Sequence, residues 1–213
     1  MRIVTLIVGA LETNCYLAAD EQSGLAAVID PGAEAALICR TCERERLTPV
    51  YILNTHAHAD HIGANAEVKS RYPDARLGIG RGDAPLLSNP VKNLSVMLGG
   101  TGRMPKPDLL LDEGQTLTLG ACTLRVLETP GHTQGAVCLV ADAERPPVVF
   151  CGDLIFQDGV GRTDLPGGDP DELVRSIREK IFALPDETVL LPGHGPSTSV
   201  GEQKASNPLA GES

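Results

Sequence analysis

Val50-Tyr51-Ile52-Leu53-Asn54-Thr55-His56-Ala57-His58-Ala59-Asp60-His61 is an apolar run, then a turn rich in imidazole and carboxylate, then the start of a helical pattern. A strand end, a loop and a helix start is where α/β folds assemble their sites, because rigid elements hold the loop at both ends. Three histidines and an aspartate spaced H-x-H-x-D-H arise by chance on the order of 1 in 10,000 in a chain of this size. A tight loop can turn alternate imidazoles toward one point while Asp60 and His61 swing to a neighbouring one. Imidazole and carboxylate without thiolate form a hard-to-borderline donor set that suits Zn²⁺, Fe or Mn²⁺. One catalytic ion rarely takes four protein ligands, so the loop points to two ions and to further ligands elsewhere.

The rest of the chain offers three. His132 sits in Thr129-Pro130-Gly131-His132-Thr133, directly after an apolar run, where Pro and Gly force a turn. Asp153 follows Val148-Val149-Phe150-Cys151-Gly152, and a carboxylate is the side chain best able to bridge two cations. His194 lies in Leu191-Pro192-Gly193-His194-Gly195-Pro196, where flanking glycines let backbone approach a charged centre. The chain has five histidines, and every one falls in the loop or at a strand-to-turn junction.

Working outward, short apolar runs predict strands over Ile3–Val8, Cys15–Ala19, Ala26–Ile29, Val50–Leu53, Arg76–Ile79, Thr116–Leu119, Cys122–Glu128, Ala136–Val140, Val148–Cys151 and Thr188–Leu191. Helical patterns cover Ala33–Arg46, His61–Tyr72 and Pro170–Leu184, the last opened by Asp169-Pro170-Asp171-Glu172. Strands with intervening helices in both halves imply an α/β layered sandwich. At 213 residues, without repeat or linker, a single domain over 1–213 is the expectation.

Composition excludes several classes of function. A formal charge of −10 without any run of Lys and Arg argues against nucleic acid as a partner, since neutralising phosphates needs a basic surface. No apolar run reaches eighteen residues, so no membrane span is expected, and the N-terminal Met1–Leu11 reads as a first strand rather than a signal peptide. Of the six cysteines, Cys15, Cys122, Cys138 and Cys151 fall in strand patterns, while Cys39-x-x-Cys42 lies within a helical stretch and lacks a second pair. Reduced thiols and a cytoplasmic location fit this usage.

His56-x-His58-x-Asp60-His61, Gly131-His132, Gly152-Asp153 and Gly193-His194-Gly195 resemble, in order and spacing, the pattern of the metallo-β-lactamase superfamily over nearly the whole chain. Val28-Ile29-Asp30-Pro31-Gly32 resembles its early aspartate motif, whose carboxylate supports the metal loops. Gly161-Arg162-Thr163-Asp164, Pro166-Gly167-Gly168 and Lys204-x-x-Asn207-Pro208 resemble the short glyoxalase II-like (hydroxyacylglutathione hydrolase-like) branch. The resemblance implies an αββα four-layer sandwich without the C-terminal helical domain of longer glyoxalase II enzymes. It implies two divalent ions, zinc first with iron or manganese as alternatives. His56, His58 and His132 would hold one, Asp60, His61 and His194 the other, and Asp153 would bridge, with Asp60 and Asp153 as catalytic residues.

The activity implied is hydrolysis of a small acyl-thiol, S-(2-hydroxyacyl)glutathione or a relative, by a hydroxide bridging the ions. With every histidine spent on metal, a leaving group that needs no proton is favoured, and a thiolate, with a conjugate acid of pKa about 8.5, needs the least help. Lys204 and the segment Lys92–Lys106, including Arg103, are candidate contacts for an anionic substrate, and Arg162–Asp164 is expected as a buried ion pair fixing the loop after Asp153. The rival readings are a mononuclear iron persulfide dioxygenase, a lactonase or β-lactamase, and a metal-stabilised scaffold without turnover.

Overall fold

The computed structural model describes residues 1–97 and 104–210. Fourteen strands are described: β1 (Arg2–Val8), β2 (Thr13–Ala19), β3 (Leu25–Ile29), β4 (Thr48–Asn54), β5 (Arg76–Gly80), β6 (Leu109–Leu111), β7 (Thr116–Leu119), β8 (Cys122–Glu128), β9 (Val137–Ala141), β10 (Val148–Gly152), β11 (Ile155–Phe156), β12 (Gly159–Val160), β13 (Val189–Pro192) and β14 (Thr198–Ser199). They form two six-stranded sheets, ordered β1-β2-β3-β4-β5-β6 and β14-β13-β10-β9-β8-β7, plus the small β11-β12 hairpin. In the first sheet β1, β2 and β3 run antiparallel and β3 to β6 parallel. In the second, β10 and β13 are the parallel pair.

Helices α1 (Ala35–Arg44), α2 (Ala59–Ile62) and α3 (Asn65–Arg71) belong to the first half, α4 (Pro170–Ser176) and α5 (Val200–Ser206) to the second. Three apolar clusters stack the layers. Tyr16, Ile29 and Leu53 of one sheet meet Leu124, Leu139 and Phe150 of the other across the central core. On the outer face of the first sheet Leu17, Val28 and Ile52 pack on Ile38 of α1 and Val68 of α3. On the outer face of the second, Val140, Val149 and Leu190 pack on Leu173 and Ile177. The result is the expected αββα sandwich, and no described helix is long and apolar enough to cross a membrane.

All ten expected strands are present, with ends displaced by at most two residues. The helix expected over His61–Tyr72 is instead α2 and α3, broken at Gly63-Ala64. The cause is a long-range bond: the Ala64 N–H leaves the helical ladder to donate to the Pro31 carbonyl at 2.9 Å, so the chain turns at that point. Pro170–Leu184 begins as expected, with the Asp169 carboxylate accepting from the Asp171 and Glu172 N–H groups, but after Ser176 it widens into a π-helical turn over Ile177–Ile181. None of the six cysteines is disulfide-bonded.

The two halves are stitched by polar side chains at one edge. Asn14 and Tyr16 of β2 donate to the Pro192 carbonyl at 3.0 and 2.6 Å. Asp83, just after β5 and fully buried, accepts from the Ala57 N–H, the Thr133 hydroxyl and the Gly135 N–H, each at 2.8 Å. One carboxylate thus ties the turn carrying His56 and His58 to the turn carrying His132. Truncating it leaves three buried donors unpaired, and an unmade buried hydrogen bond costs about 1–3 kcal/mol. Asp83→Ala is therefore expected to lose about 3 kcal/mol or more in urea unfolding, while Asp164→Ala, at the exposed surface, changes stability by less than about 0.5 kcal/mol.

Candidate metal centre

The carboxyl ends of four strands from both sheets meet at this edge. β4 runs into His56, His58, Asp60 and His61, β8 into His132, β10 into Asp153 and β13 into His194. The structure brings all seven together. Three groups have ligand atoms within 4.8 Å of one another: His56, His58 and His132; His56, His61 and Asp153; and Asp60, His61 and His194. Asp153 lies between them, its Oδ1 3.3 Å from His61 Nε2 and its Oδ2 3.7 Å from both His132 Nε2 and His194 Nε2. Asp60 Oδ2 is 3.2 Å from His194 Nε2 and accepts from the Thr13 hydroxyl at 3.3 Å.

Four of the five rings are aimed by the hydrogen bond made on the far side. His132 Nδ1 donates to the Arg162 carbonyl at 2.8 Å and His194 Nδ1 to the Leu11 carbonyl at 3.0 Å, which fixes Nε2 of both as the inward nitrogen. Asp30 Oδ2 accepts from His61 Nδ1 at 3.0 Å and from the Thr55 hydroxyl at 2.7 Å, and that hydroxyl lies 3.2 Å from His56 Nδ1. A single buried carboxylate therefore orients His61 directly and His56 through Thr55. Glycine lets backbone close on the cluster. At Gly193 a Cβ would stand 2.2 Å from Asp153 Oδ1, and at Gly152, where φ is +49°, it would stand 2.3 Å from the Thr55 hydroxyl.

The donor set fits divalent cations on two observations. His56 Nε2, His61 Nε2 and Asp153 Oδ1 are buried without a hydrogen-bond partner among the described residues, a costly arrangement for polar atoms otherwise. His58 Nδ1 and His132 Nε2 face each other at 2.9 Å, so a proton or a cation belongs between them. Protonation states agree. Burial, then the neighbouring imidazoles, holds His56 well below the usual histidine range and lowers His58 to about 4, leaving both neutral with free lone pairs. Burial works against the charges of Asp60 and Asp153, but the facing histidines outweigh it and keep both carboxyls below their usual range. At His61 burial is outweighed by Asp153 and Asp30, which raise it well above its usual value.

Other expectations meet different outcomes. Arg162 and Asp164 do pair, at 2.7 Å, but both side chains are more than 60% exposed, so the expected buried ion pair is a surface one. What reaches the centre from this loop is the Arg162 carbonyl. Lys204 is engaged by Asp186 at 2.7 Å, Lys92 is exposed, and Arg103 lies outside the described residues. Asp83 and Thr13 are functional neighbours that the sequence reading missed. Each is an ordinary polar residue, Thr13 opening β2 and Asp83 just after β5, without a motif of its own. Phe156 of the β11-β12 hairpin, also missed, stands edge-on to His194 with ring centroids 6.3 Å apart.

The family model of the metallo-beta-lactamase superfamily matches residues 8–194. The hydroxyacylglutathione hydrolase GloC of Haemophilus influenzae is 35% identical over 215 residues, covering 98% of both chains. Among solved structures, the BLEG-1 B3 metallo-beta-lactamase shares the fold at a TM-score of 0.89 with 38% identity, over 98% of this chain and 99% of that one. ETHE1 from Myxococcus xanthus is similar at a TM-score of 0.80 with 29% identity, over 100% of this chain and 86% of that one. A site built at the strand ends of two stacked sheets, with a matching sequence pattern that spans both halves, makes this chain a member of the metallo-β-lactamase superfamily.

Proposed function

We propose that this chain is a metal-dependent thioester hydrolase of glyoxalase II type, cleaving S-(2-hydroxyacyl)glutathione or a related acyl-thiol. The observation that carries the binuclear part is the position of Asp153, whose one oxygen faces His132 and His194 equally, at 3.7 Å each. His56, His58 and His132 would hold one divalent ion, Asp60, His61 and His194 the other, and Asp153 would serve both. Zinc is the first choice for these donors, and iron or manganese is compatible with them. Two such ions supply a water that loses its proton near neutral pH and positive charge beside the substrate carbonyl.

The chain's own residues do the rest. Asp60 and Asp153, held ionised by the facing imidazoles, act as charge carriers and orienting acceptors rather than as proton stores. No imidazole is left to protonate a leaving group, because all five histidines belong to the cluster. Tyr16, the nearby phenol, donates to the Pro192 carbonyl and is pushed up by burial, which removes it from acid catalysis. A thiolate departs without such an acid, whereas an amine or alkoxide asks for one. The 35% identity to GloC supports the same substrate class.

A second reading, a mononuclear iron persulfide dioxygenase, is favoured by the group His56, His61 and Asp153, which offers two imidazoles and one carboxylate. The likeness to ETHE1 is compatible with it. A lactonase or β-lactamase reading rests on the likeness to BLEG-1 and is opposed by the glyoxalase II-like motifs.

Metal content and S-D-lactoylglutathione hydrolysis, measured on one purified sample and repeated for Asp153→Ala, separate these readings. Close to two metal equivalents are expected, with turnover in the variant lowered by about a thousandfold or more. A single iron, oxygen uptake with glutathione persulfide and no thioester turnover would overturn the hydrolase reading. Asp30 gives an independent check. Asp30→Asn breaks the bonds that aim His61 and, through Thr55, His56, so competition with a chelator should show metal affinity lower by about 10- to 100-fold with the protein still folded.

A further inference from the structure

Asp60 faces two ways. One side belongs to the metal cluster, and the other borders a cleft of about 680 Å³ that runs away from the centre between the β1–β2 turn and the segments leading into α1 and α3. Thr13, whose hydroxyl donates to Asp60, lines the same cleft. Asp60 and Thr13 are thus shared between the cluster and the cleft. The volume is that of a subsite for a drug-sized group, and a short 2-hydroxyacyl group fills only a small part of it.

The lining is small and apolar. Ala10, Ala33, Ala36 and Ala66 leave room, while Leu11 and Met104 add larger apolar surface. The charged side chains among the described lining residues are Asp60, Glu34 and Glu67, all acidic, and neither glutamate forms an ion pair with a described residue. Ser95 supplies the one observation that points to a polar ligand atom. It is 2% exposed, lines the cleft, and its hydroxyl has no hydrogen-bond partner among the described residues. Its wall is fixed in place: the Ser95 N–H donates to the side chain of buried Asn93 at 3.0 Å, and the Asn93 carbonyl accepts from the Ala59 N–H of the metal loop at 2.8 Å. The wall is thereby tied to the metal loop, and the Ser95 hydroxyl buried in it is a donor and acceptor that a neutral polar group such as an amide would satisfy.

We infer that this cleft receives the thiol arm of the substrate, and that it takes an arm carrying an amide and no carboxylate in preference to the doubly carboxylated arm of glutathione. The inference rests on the thioester reading above and narrows it to a substrate class. Apolar walls stabilise an uncharged arm by burial. Glu34, Glu67 and the net charge of −10 disfavour carboxylates, and the Ser95 hydroxyl gains the partner it lacks.

The test uses metal-loaded protein and two non-hydrolysable thioethers, S-methyl-N-acetylcysteamine and S-methylglutathione, titrated by ligand-observed NMR. It is paired with kcat/KM for the S-lactoyl esters of both parent thiols. The N-acetylcysteamine thioether should bind about tenfold more tightly, a difference of about 1.4 kcal/mol. Ala36→Trp, which fills the cleft from an exposed position on α1, should weaken that binding about tenfold, and Glu67→Lys should narrow the gap between the two arms severalfold. Equal or tighter binding of the glutathione arm, a higher kcat/KM for lactoylglutathione, or an Ala36→Trp protein that binds both probes as before would overturn the inference and leave the thioesterase reading standing. Binding of the amide arm, sensitive to Ala36→Trp, in a protein that hydrolyses neither ester would overturn the thioesterase reading instead.

Discussion

An imidazole has two nitrogens, and a site that needs one of them needs the protein to occupy the other. That constraint organises this molecule. His132, His194, His61 and His56 each spend Nδ1 on a fixed acceptor: the Arg162 carbonyl, the Leu11 carbonyl, Asp30 and the Thr55 hydroxyl. The acceptors come from both halves of the chain, so the rings converge only if the two sheets are stacked in register. Asp30 is the most heavily used of them, accepting at once from the Thr55 N–H, the Thr55 hydroxyl and His61. Its own backbone at φ +51° bends the chain out of β3 to put the carboxylate there, and such strain persists only where the surroundings hold it.

The sandwich solves the placement problem that follows. Side chains at the carboxyl ends of β4, β8, β10 and β13 are fixed by ladders that extend through two buried cores, so loops of only a few residues carry the ligands without freedom to wander. The cost is a seam of polar groups between the sheets. Asn14, Tyr16 and Asp83 satisfy it by bonding across the halves, which turns two half-sites into one.

The strands were legible in the sequence because burial on both faces writes short apolar runs bounded by turn residues, and the metal-type side chains were legible because they follow those runs directly. What failed was decided by long-range backbone bonds. Gly63-Ala64 sits inside a good helical pattern, yet the Pro31 carbonyl, more than thirty residues away in sequence, captures the Ala64 N–H and splits the helix. Arg162 and Asp164 were expected to be buried because they follow Asp153, whereas only the backbone turns inward there. Asp83 was missed because a lone aspartate after Gly80-Arg81-Gly82 has no local partner to announce it. Helix α5 was overlooked although Ser199 and Glu202 form a capping box that can be read from spacing alone.

The charge pattern at the centre also bears on how cation binding would be linked to stability. Without cations, Asp30, Asp60 and Asp153 are compensated chiefly by His61 and His194, both raised above their ordinary values: at each, burial opposes the charge and neighbouring carboxylates outweigh it. Without a cation, the carboxylates around His61 favour its protonated form, the charge that a cation there would supply. A bound cation would take the place of that proton and would supply partners to His56 Nε2, His61 Nε2 and Asp153 Oδ1. With cations held by these donors, stability and metal occupancy would be linked. On the proposed reading, the seven side chains that would hold the cations would also decide how firmly the two sheets stay closed at this edge.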